Sequence, residues 1–328
     1  MNLRYRLGKS NVAYFYLNRP QAHNALNMGL IREMRQALRE MEGLRALVLT
    51  GEGKTFCAGG DLKWMEEMTK QEVSGRMKDA EELALMLSEL NRVPFPVIGR
   101  INGPAYGGGL GLISCCDIAI GVESATFSLS EVTLGLIPAT ISPYVVKRLG
   151  ESNARRMMLN ARSFSAREAL ELGLLHKVVP DDKLDDAVEE EVKAVMRCAP
   201  EAVSASKELI AAVEGRPPEE VLGETIERLA RTWETESCRQ GIAAFLEKRK
   251  PPWISEKMME RKLFRRSTTF SAKPWENSSN RKSCLNTRNG RRKGWCPKKC
   301  GSTPERWAGS ARPQNRNTGG LVRNCCIR

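Results

Sequence analysis

Residues 101–117, INGPAYGGGLGLISCCD, place three consecutive glycines where an apolar strand pattern changes to a helical one. A glycine inside a helix costs about 1 kcal/mol relative to alanine, so the run needs another explanation. The first N–H groups of a helix have no partner within it and carry the positive end of its dipole. Bare backbone would let a ligand oxygen approach those groups. The segment therefore predicts either an oxyanion-binding helix start or a close contact between helix and sheet.

A second segment with the same design favours the first interpretation. KTFCAGGDLKWM (residues 54–65) follows the strand-like run ALVLTG (Ala46–Gly51) and places two glycines before a helix start marked by Asp61. Two such loops could direct two backbone N–H groups at one carbonyl oxygen. The letters GEGKT within this region are not a phosphate-binding loop, because that motif needs a glycine at position 48, which is Val48.

The surrounding sequence alternates short strand patterns with helical ones. Strands are predicted at Asn11–Leu17, Ala46–Gly51, 96–101, 117–122, 125–130 and 174–179, and helices after the N-caps Asn27, Asp61 and Ser165. Residues 181–248 read as helix almost throughout. Alternating strands and helices predict an α/β body with a helical C-terminal section.

The positive charge of the chain is confined to its last part. Residues 256–328 contain nineteen Lys and Arg against four Asp and Glu, whereas residues 1–255 contain 33 against 35. The tail has no strand or helix period and few aliphatic side chains, so it is predicted to be disordered. It is either a real basic tail or a non-native stretch that resembles translation after a frame change. A real tail could bind nucleic acid through phosphate contacts, the alternative function from another class.

Other composition features limit the class of protein. No run of eighteen apolar residues is present, and the first twenty residues show no apolar signal core, so no membrane partner is predicted. The five cysteines before residue 256 lack the spacing of metal ligands. They are typical of reduced thiols, and the prediction is a cytoplasmic protein without a metal site.

Four motifs then occur in an ordered series that resembles the crotonase (enoyl-CoA hydratase/isomerase) superfamily. They are LNRPQAHNAL (17–26), FCAGGDL (56–62), INGPAYGGGLGL with CCDIAI (101–120), and FSLSEVTLGLIPATISPYVV (127–146). The similarity runs from about Val12 to Trp253. Within the superfamily, the fourth motif is most similar to bacterial methylglutaconyl-CoA hydratases of leucine breakdown.

This resemblance implies a fold and an assembly. It implies a spiral of ββα repeats in residues 1–190, a helical trimerisation region in residues 191–255, and homotrimers that often pair into hexamers. Residues 256–328 would follow the natural end of such proteins.

The resemblance also implies a site that acts on an acyl-CoA. Glu131 would be the catalytic carboxylate, and the N–H groups of Gly60 and Gly108 would hold the thioester oxygen. Coenzyme A is part of the substrate, so no separate cofactor is expected. The residues implied to contact the substrate are Ala22, His23, Ala25, Ala58, Gly59, Asp61, Leu62, Gly111 and Lys248.

One position departs from the pattern of many hydratases. Gly111 stands where they have a second glutamate. Hydration of the C2=C3 bond, with a branched glutaconyl chain as substrate, remains the prediction because the methylglutaconyl group often has glycine there. Isomerisation of the double bond with one carboxylate is the alternative. If Gly111 faces the acyl pocket near Glu131, its missing side chain leaves room for the branch.

Overall fold

The computed structural model describes residues 1–8 and 10–254. The predicted tail of residues 256–328 lies outside them. The strands are β1 (Leu3–Leu7), β2 (Val12–Leu17), β3 (Ala46–Gly51), β4 (Val97–Ile101), β5 (Ala105–Tyr106), β6 (Ile118–Val122), β7 (Thr126–Ser128), β8 (Phe164–Ser165) and β9 (Lys177–Val179).

The helices alternate with these strands and then continue without them. They are α1 (Met28–Glu40), α2 (Leu62–Lys70), α3 (Val73–Arg92), α4 (Gly108–Ser114), α5 (Ser142–Leu149), α6 (Glu151–Asn160), α7 (Ala166–Glu171), α8 (Leu184–Met196), α9 (Pro200–Val213), α10 (Pro218–Trp233) and α11 (Glu236–Leu246). Short 3-10 turns cover Pro20–Ala22, Glu131–Leu134 and Asp181–Lys183.

The core is a six-stranded sheet in the order β1-β2-β3-β4-β6-β9. β1 is antiparallel to β2, and the later neighbours are parallel. Every residue of β3 is buried, as expected for a central parallel strand covered on both faces. A smaller sheet pairs β5, β7 and β8. The predicted α/β class is therefore confirmed.

Local sequence signals account for most of these elements. The Asn27 side chain accepts the N–H of Leu30 (2.9 Å) at the start of α1, and Ser165 and Glu168 form a capping box at α7. The sequence analysis did not predict β1, whose pattern LRYRL alternates apolar and arginine positions. Its two arginines are held by aromatic rings of β2, Arg4 over Tyr16 and Arg6 over Tyr14.

The predicted boundary between the core and the helical C-terminal region, at residue 190, falls within a helix that packs on the large sheet. This helix is α8, which packs against β4 and β6. The helices α9, α10 and α11 follow. In the described part of the chain, no helix is both long and apolar enough to cross a membrane.

Candidate active site

Four segments that are distant in sequence lie side by side. They are residues 22–26, 57–61, 105–108 and 128–131, and they pair in that order through backbone groups. The bonds run from Ala58 N to His23 O (3.0 Å), Leu26 N to Gly59 O (2.7 Å), Asp61 N to Leu26 O (2.8 Å), Tyr106 N to Cys57 O (2.9 Å) and Gly107 N to Ser128 O (2.9 Å). The structure thus brings together the loops that the sequence analysis had singled out.

The pairing between segments 22–26 and 57–61 leaves the N–H of Gly60 directed away from Leu26. Gly60 forms a parallel bridge with Leu26, and the two bonds of that bridge use the carbonyl of Gly59 and the N–H of Asp61. In a parallel bridge the middle residue directs its own N–H to the opposite side. The geometry therefore makes Gly60 a backbone donor available to a ligand.

Gly108 offers a second donor on the adjacent loop. It is the first residue of α4, so its N–H has no acceptor within the helix. The two loops touch because glycines allow it: a Cβ at Gly59 would lie 3.0 Å from the Tyr106 carbonyl oxygen and 3.7 Å from the Gly107 Cα. Gly59 also has a φ of +87°, a conformation that favours glycine.

Glu131 lies against this pair of loops. It begins the 3-10 turn after β7, and its Oε1 is 2.8 Å from where a Cβ of Gly107 would stand. Its Oε2 is buried and has no hydrogen-bond partner among the residues that the structure describes. Burial raises the pKa of the Glu131 carboxyl. A carboxylate with one buried oxygen that lacks a partner, close to backbone donors, is typical of a site that moves a proton on a bound carbonyl compound.

Buried polar side chains fix the first two loops to each other. Arg19 donates to Asp61 Oδ2 (2.7 Å), and both side chains are only 11–13% exposed. The other oxygen of Asp61 caps α2 through the N–H groups of Lys63 and Trp64. Burial opposes ionisation of Asp61, but these donors outweigh it and hold its pKa below the usual value. Asn24 is fully buried and donates to the carbonyls of Glu52 and Thr55.

Sequence reasoning had assigned Asp61 to substrate contact and missed Arg19 and Asn24. The available signal was their place in the polar run NRPQAHN between two apolar strands. Fully buried polar residues in such a turn are retained where they satisfy backbone groups. The structure shows Asp61 as a helix cap and ion-pair partner.

The expectation of open space at Gly111 is wrong in this structure. A Cβ at Gly111 would lie 2.4 Å from Ile141 Cγ2 and 3.7 Å from Leu87 Cδ2. The Ile141 side chain therefore occupies the room that was expected to accept an acyl branch. Sequence patterns could not show this contact, because Gly111 and Ile141 are thirty residues apart.

The remaining predicted contacts differ in position. Ala22 and His23 lie at the surface of the first loop, where His23 Nδ1 is 3.3 Å from Thr55 Oγ1. Ala25 is buried, and Leu62 at the start of α2 is exposed. Lys248 follows α11 and is exposed, with its N–H bonded to the Phe245 carbonyl (3.2 Å). The described hydrogen bonds of Lys248 do not join it to the four segments.

Two titratable side chains outside the four segments, Asp117 and His176, bind backbone groups of the fold. The Asp117 carboxylate accepts from Lys207 Nζ and the Val97 N–H, both at 2.7 Å, as expected for a structural acid. His176 Nδ1 accepts the N–H of Ala119 (2.9 Å). Within residues 1–8 and 10–254, no group of three or more His, Cys, Asp or Glu side chains is arranged to hold a metal ion.

Comparison with known proteins identifies the family of the chain. The family profile described as enoyl-CoA hydratase/isomerase matches residues 8–256. A putative enoyl-CoA hydratase of Thermus thermophilus is 35% identical over 248 residues, which cover 74% of this chain and 97% of that protein. The mitochondrial enoyl-CoA hydratase of Pongo abelii is 35% identical over 255 residues, or 74% of this chain and 84% of its own.

A solved structure shows the same fold. The crystal structure of an enoyl-CoA hydratase from Shewanella pealeana superimposes with a TM-score of 0.74 at 41% identity, covering 77% of this chain and 96% of that one. The profile match spans most of the chain, and its bounds enclose all four loop segments. The chain therefore belongs to the enoyl-CoA hydratase/isomerase family, within the crotonase superfamily.

Proposed function

We propose that this protein hydrates the C2=C3 double bond of an acyl-CoA thioester, with Glu131 as the carboxylate that moves the proton. The observation that carries the proposal is the buried Glu131 Oε2, which has no hydrogen-bond partner in the described part of the chain and lies near the outward-directed N–H of Gly60 and the helix-start N–H of Gly108. The hydratase names of the relatives support the reaction class.

The reaction proceeds in two proton transfers. The Glu131 carboxylate removes a proton from water as the water oxygen forms a bond to C3. The electron pair of the double bond moves toward the thioester carbonyl, whose oxygen becomes negative and is held by the two backbone donors. Glu131 then returns its proton to C2, which restores the carboxylate and leaves a 3-hydroxyacyl thioester. One donor of this kind typically contributes about 3 kcal/mol to the transition state.

The substrate branch and the assembly are further parts of the proposal. A branched glutaconyl chain of leucine breakdown is supported by the resemblance of residues 128–146 to methylglutaconyl-CoA hydratases. A homotrimer, which can pair into a hexamer, is supported by exposed apolar side chains on α9–α11. Lys248 would then reach a neighbouring subunit's coenzyme A.

The cytoplasmic location stays a prediction from cysteine usage. The predicted nucleic-acid binding of the tail lies outside the described residues.

Isomerisation is the second candidate, and one observation favours it. Position 111 has no carboxylate, and Ile141 fills the space over it, so Glu131 is the one carboxylate that the described residues are shown to place beside the backbone donors. One carboxylate suffices to take a proton from C2 and return it to C4. Water labelled with ¹⁸O distinguishes the two reactions, because only hydration places the label on C3.

The test of the proposal is Glu131→Gln, which keeps the size of the side chain and removes its basicity. We expect kcat to fall by about 10²- to 10⁴-fold, with little change in coenzyme A affinity. Glu123→Gln is the matched control, since Glu123 is an exposed acid at the turn after β6. In the unaltered protein, kcat/KM should fall as the pH drops through the raised pKa of Glu131. Near-normal turnover of Glu131→Gln would refute the mechanism.

A further inference from the structure

The catalytic carboxylate and an apolar side chain lie side by side on the start of α4. Gly107 is the N-cap of α4, with a φ of +46°, and Gly111 follows four residues later inside the helix. Glu131 Oε1 occupies the space where Gly107 would have a Cβ, and Ile141 Cγ2 occupies the corresponding space at Gly111. Two glycines thus allow two side chains from the 131–141 segment to rest directly on the helix backbone.

Ile141 is held firmly in this position. It is 2% exposed, and its carbonyl accepts the N–H groups of Tyr144 (3.1 Å) and Val145 (3.0 Å) as α5 begins. Leu87 of α3 lies near the same point, with its Cδ2 3.7 Å from where a Cβ of Gly111 would stand. A β-branched side chain has few rotamers available, so the isoleucine cannot turn away without moving the start of α5.

The contact has a consequence for the substrate. Glu131 must reach the water that attacks C3, so the substituent on C3 has to pass beside the carboxylate. The neighbouring surface on the α4 side is the hydrocarbon of Ile141, which accepts an alkyl group and gives no hydrogen bond to a second water. The surface therefore selects the C3 substituent by its size.

We propose that Ile141 is a specificity-determining residue: its side chain forms the wall of the acyl pocket beside Glu131 and limits the size of the group carried on C3. This inference rests on the proposed function. Because Gly111 has no Cβ, the Ile141 side chain can pack directly on the α4 backbone, close to the carboxylate.

The experiment compares substrates in the full-length protein. The variants are Ile141→Ala and Ile141→Val, and the probes are crotonyl-CoA, 2-hexenoyl-CoA and 3-methylcrotonyl-CoA. Removing the wall should raise the ratio of kcat/KM for each larger probe to that for crotonyl-CoA about tenfold or more, because single methylenes in apolar pockets discriminate on this scale. Valine should give a smaller shift in the same direction.

Val145→Ala is the matched control. Val145 is fully buried on α5, so its truncation loosens the same part of the core without touching Gly111. We expect this variant to lose thermal stability as Ile141→Ala does, yet to keep the substrate ratio of the unaltered protein.

The outcomes separate this inference from the proposed function. A shifted ratio in both Ile141 variants and not in Val145→Ala supports the inference. Unchanged ratios in Ile141→Val and Ile141→Ala, with Glu131→Gln inactive, would overturn it and leave the hydratase proposal standing. Full activity of Glu131→Gln would overturn the proposed function instead, whatever the ratios are.

Discussion

The loops around Glu131 and the helices α9–α11 differ in the contacts on which they depend. The loops within residues 22–131 are joined to one another by backbone–backbone hydrogen bonds and by close glycine contacts. The helices present apolar side chains outward: Leu222, Ile226, Leu229 and Trp233 on one stripe of α10 are 60–62% exposed. Their spacing of four, three and four residues places them on one face.

This difference indicates what each region needs in order to work. The site region depends on close backbone approach, and even one added methyl group can disturb it. The helical region tolerates changes within the protomer but exposes apolar area that water disfavours. A second copy that covers the stripe would remove that cost, which supports the proposed trimer.

The largest effect is expected from Gly109→Ala in the site region. A Cβ at Gly109 would lie 2.5 Å from the Cys57 carbonyl oxygen, so the two loops must separate. We expect a loss of about 3 kcal/mol in the free energy of unfolding, together with lower activity, because both backbone donors move. Urea unfolding at one fixed protein concentration measures it.

Gly223→Ala in α10 is the paired control for this change. Its Cβ would have no neighbour within 4 Å among residues 1–8 and 10–254, and helix propensity alone predicts a gain of up to about 1 kcal/mol in the free energy of unfolding. If both variants lost the same free energy of unfolding, the site region would be no more sensitive to added methyl groups than the helical region, and the distinction would be wrong.

A charge on the α10 stripe should change the assembly rather than the fold. Leu229→Glu places a carboxylate in the centre of the proposed interface, where desolvation would disfavour association. We expect sedimentation velocity to show monomers for this variant and trimers for the unaltered protein. Glu227→Gln, on the other side of α10, should keep the trimer. An unchanged assembly of Leu229→Glu would show that another surface joins the subunits.

The same comparison explains what the sequence could and could not predict. Periodicity and caps predicted the strands and helices, because those signals come from neighbouring residues, as with Asn27 and Ser165. The glycine loops and Glu131 were found because ordered motifs mark them. The Gly111–Ile141 contact and the Arg19–Asp61 pair were missed, since both join distant segments whose meeting depends on the fold.

The smallest expected effect concerns His176, which lies just before β9 and contacts β6 and α5. Its Nδ1 accepts the Ala119 N–H, and the cation of Arg148 lies 3.3 Å from the same atom. Burial and the Arg148 charge lower the pKa of His176, and the Asp117 carboxylate opposes this. A proton on Nδ1 would break the bond to Ala119 and add a cation beside Arg148.

The sign of the pH effect follows from the lowered pKa. The unfolded chain binds a proton on this histidine near pH 6.5, and the folded chain only at lower pH. The stabilisation is therefore complete above pH 6.5 and is lost as the pH falls from there toward the folded pKa. Because the imidazole is more than a third exposed, solvent screens the effect, and we expect no more than about 1 kcal/mol.

His176→Asn removes the pH-dependent contribution of His176 to stability and keeps the hydrogen bond, because asparagine can place a neutral acceptor near the position of Nδ1. The comparison belongs in the Glu131→Gln background, since the raised pKa of Glu131 gives a pH dependence of opposite sign. We expect the free energy of unfolding, measured with urea between pH 7 and pH 5, to fall less steeply in the double variant than in Glu131→Gln alone. Identical slopes would mean that His176 takes up its proton equally well in the folded and unfolded chains. The bond to Ala119 would then make no pH-dependent contribution to the free energy of unfolding.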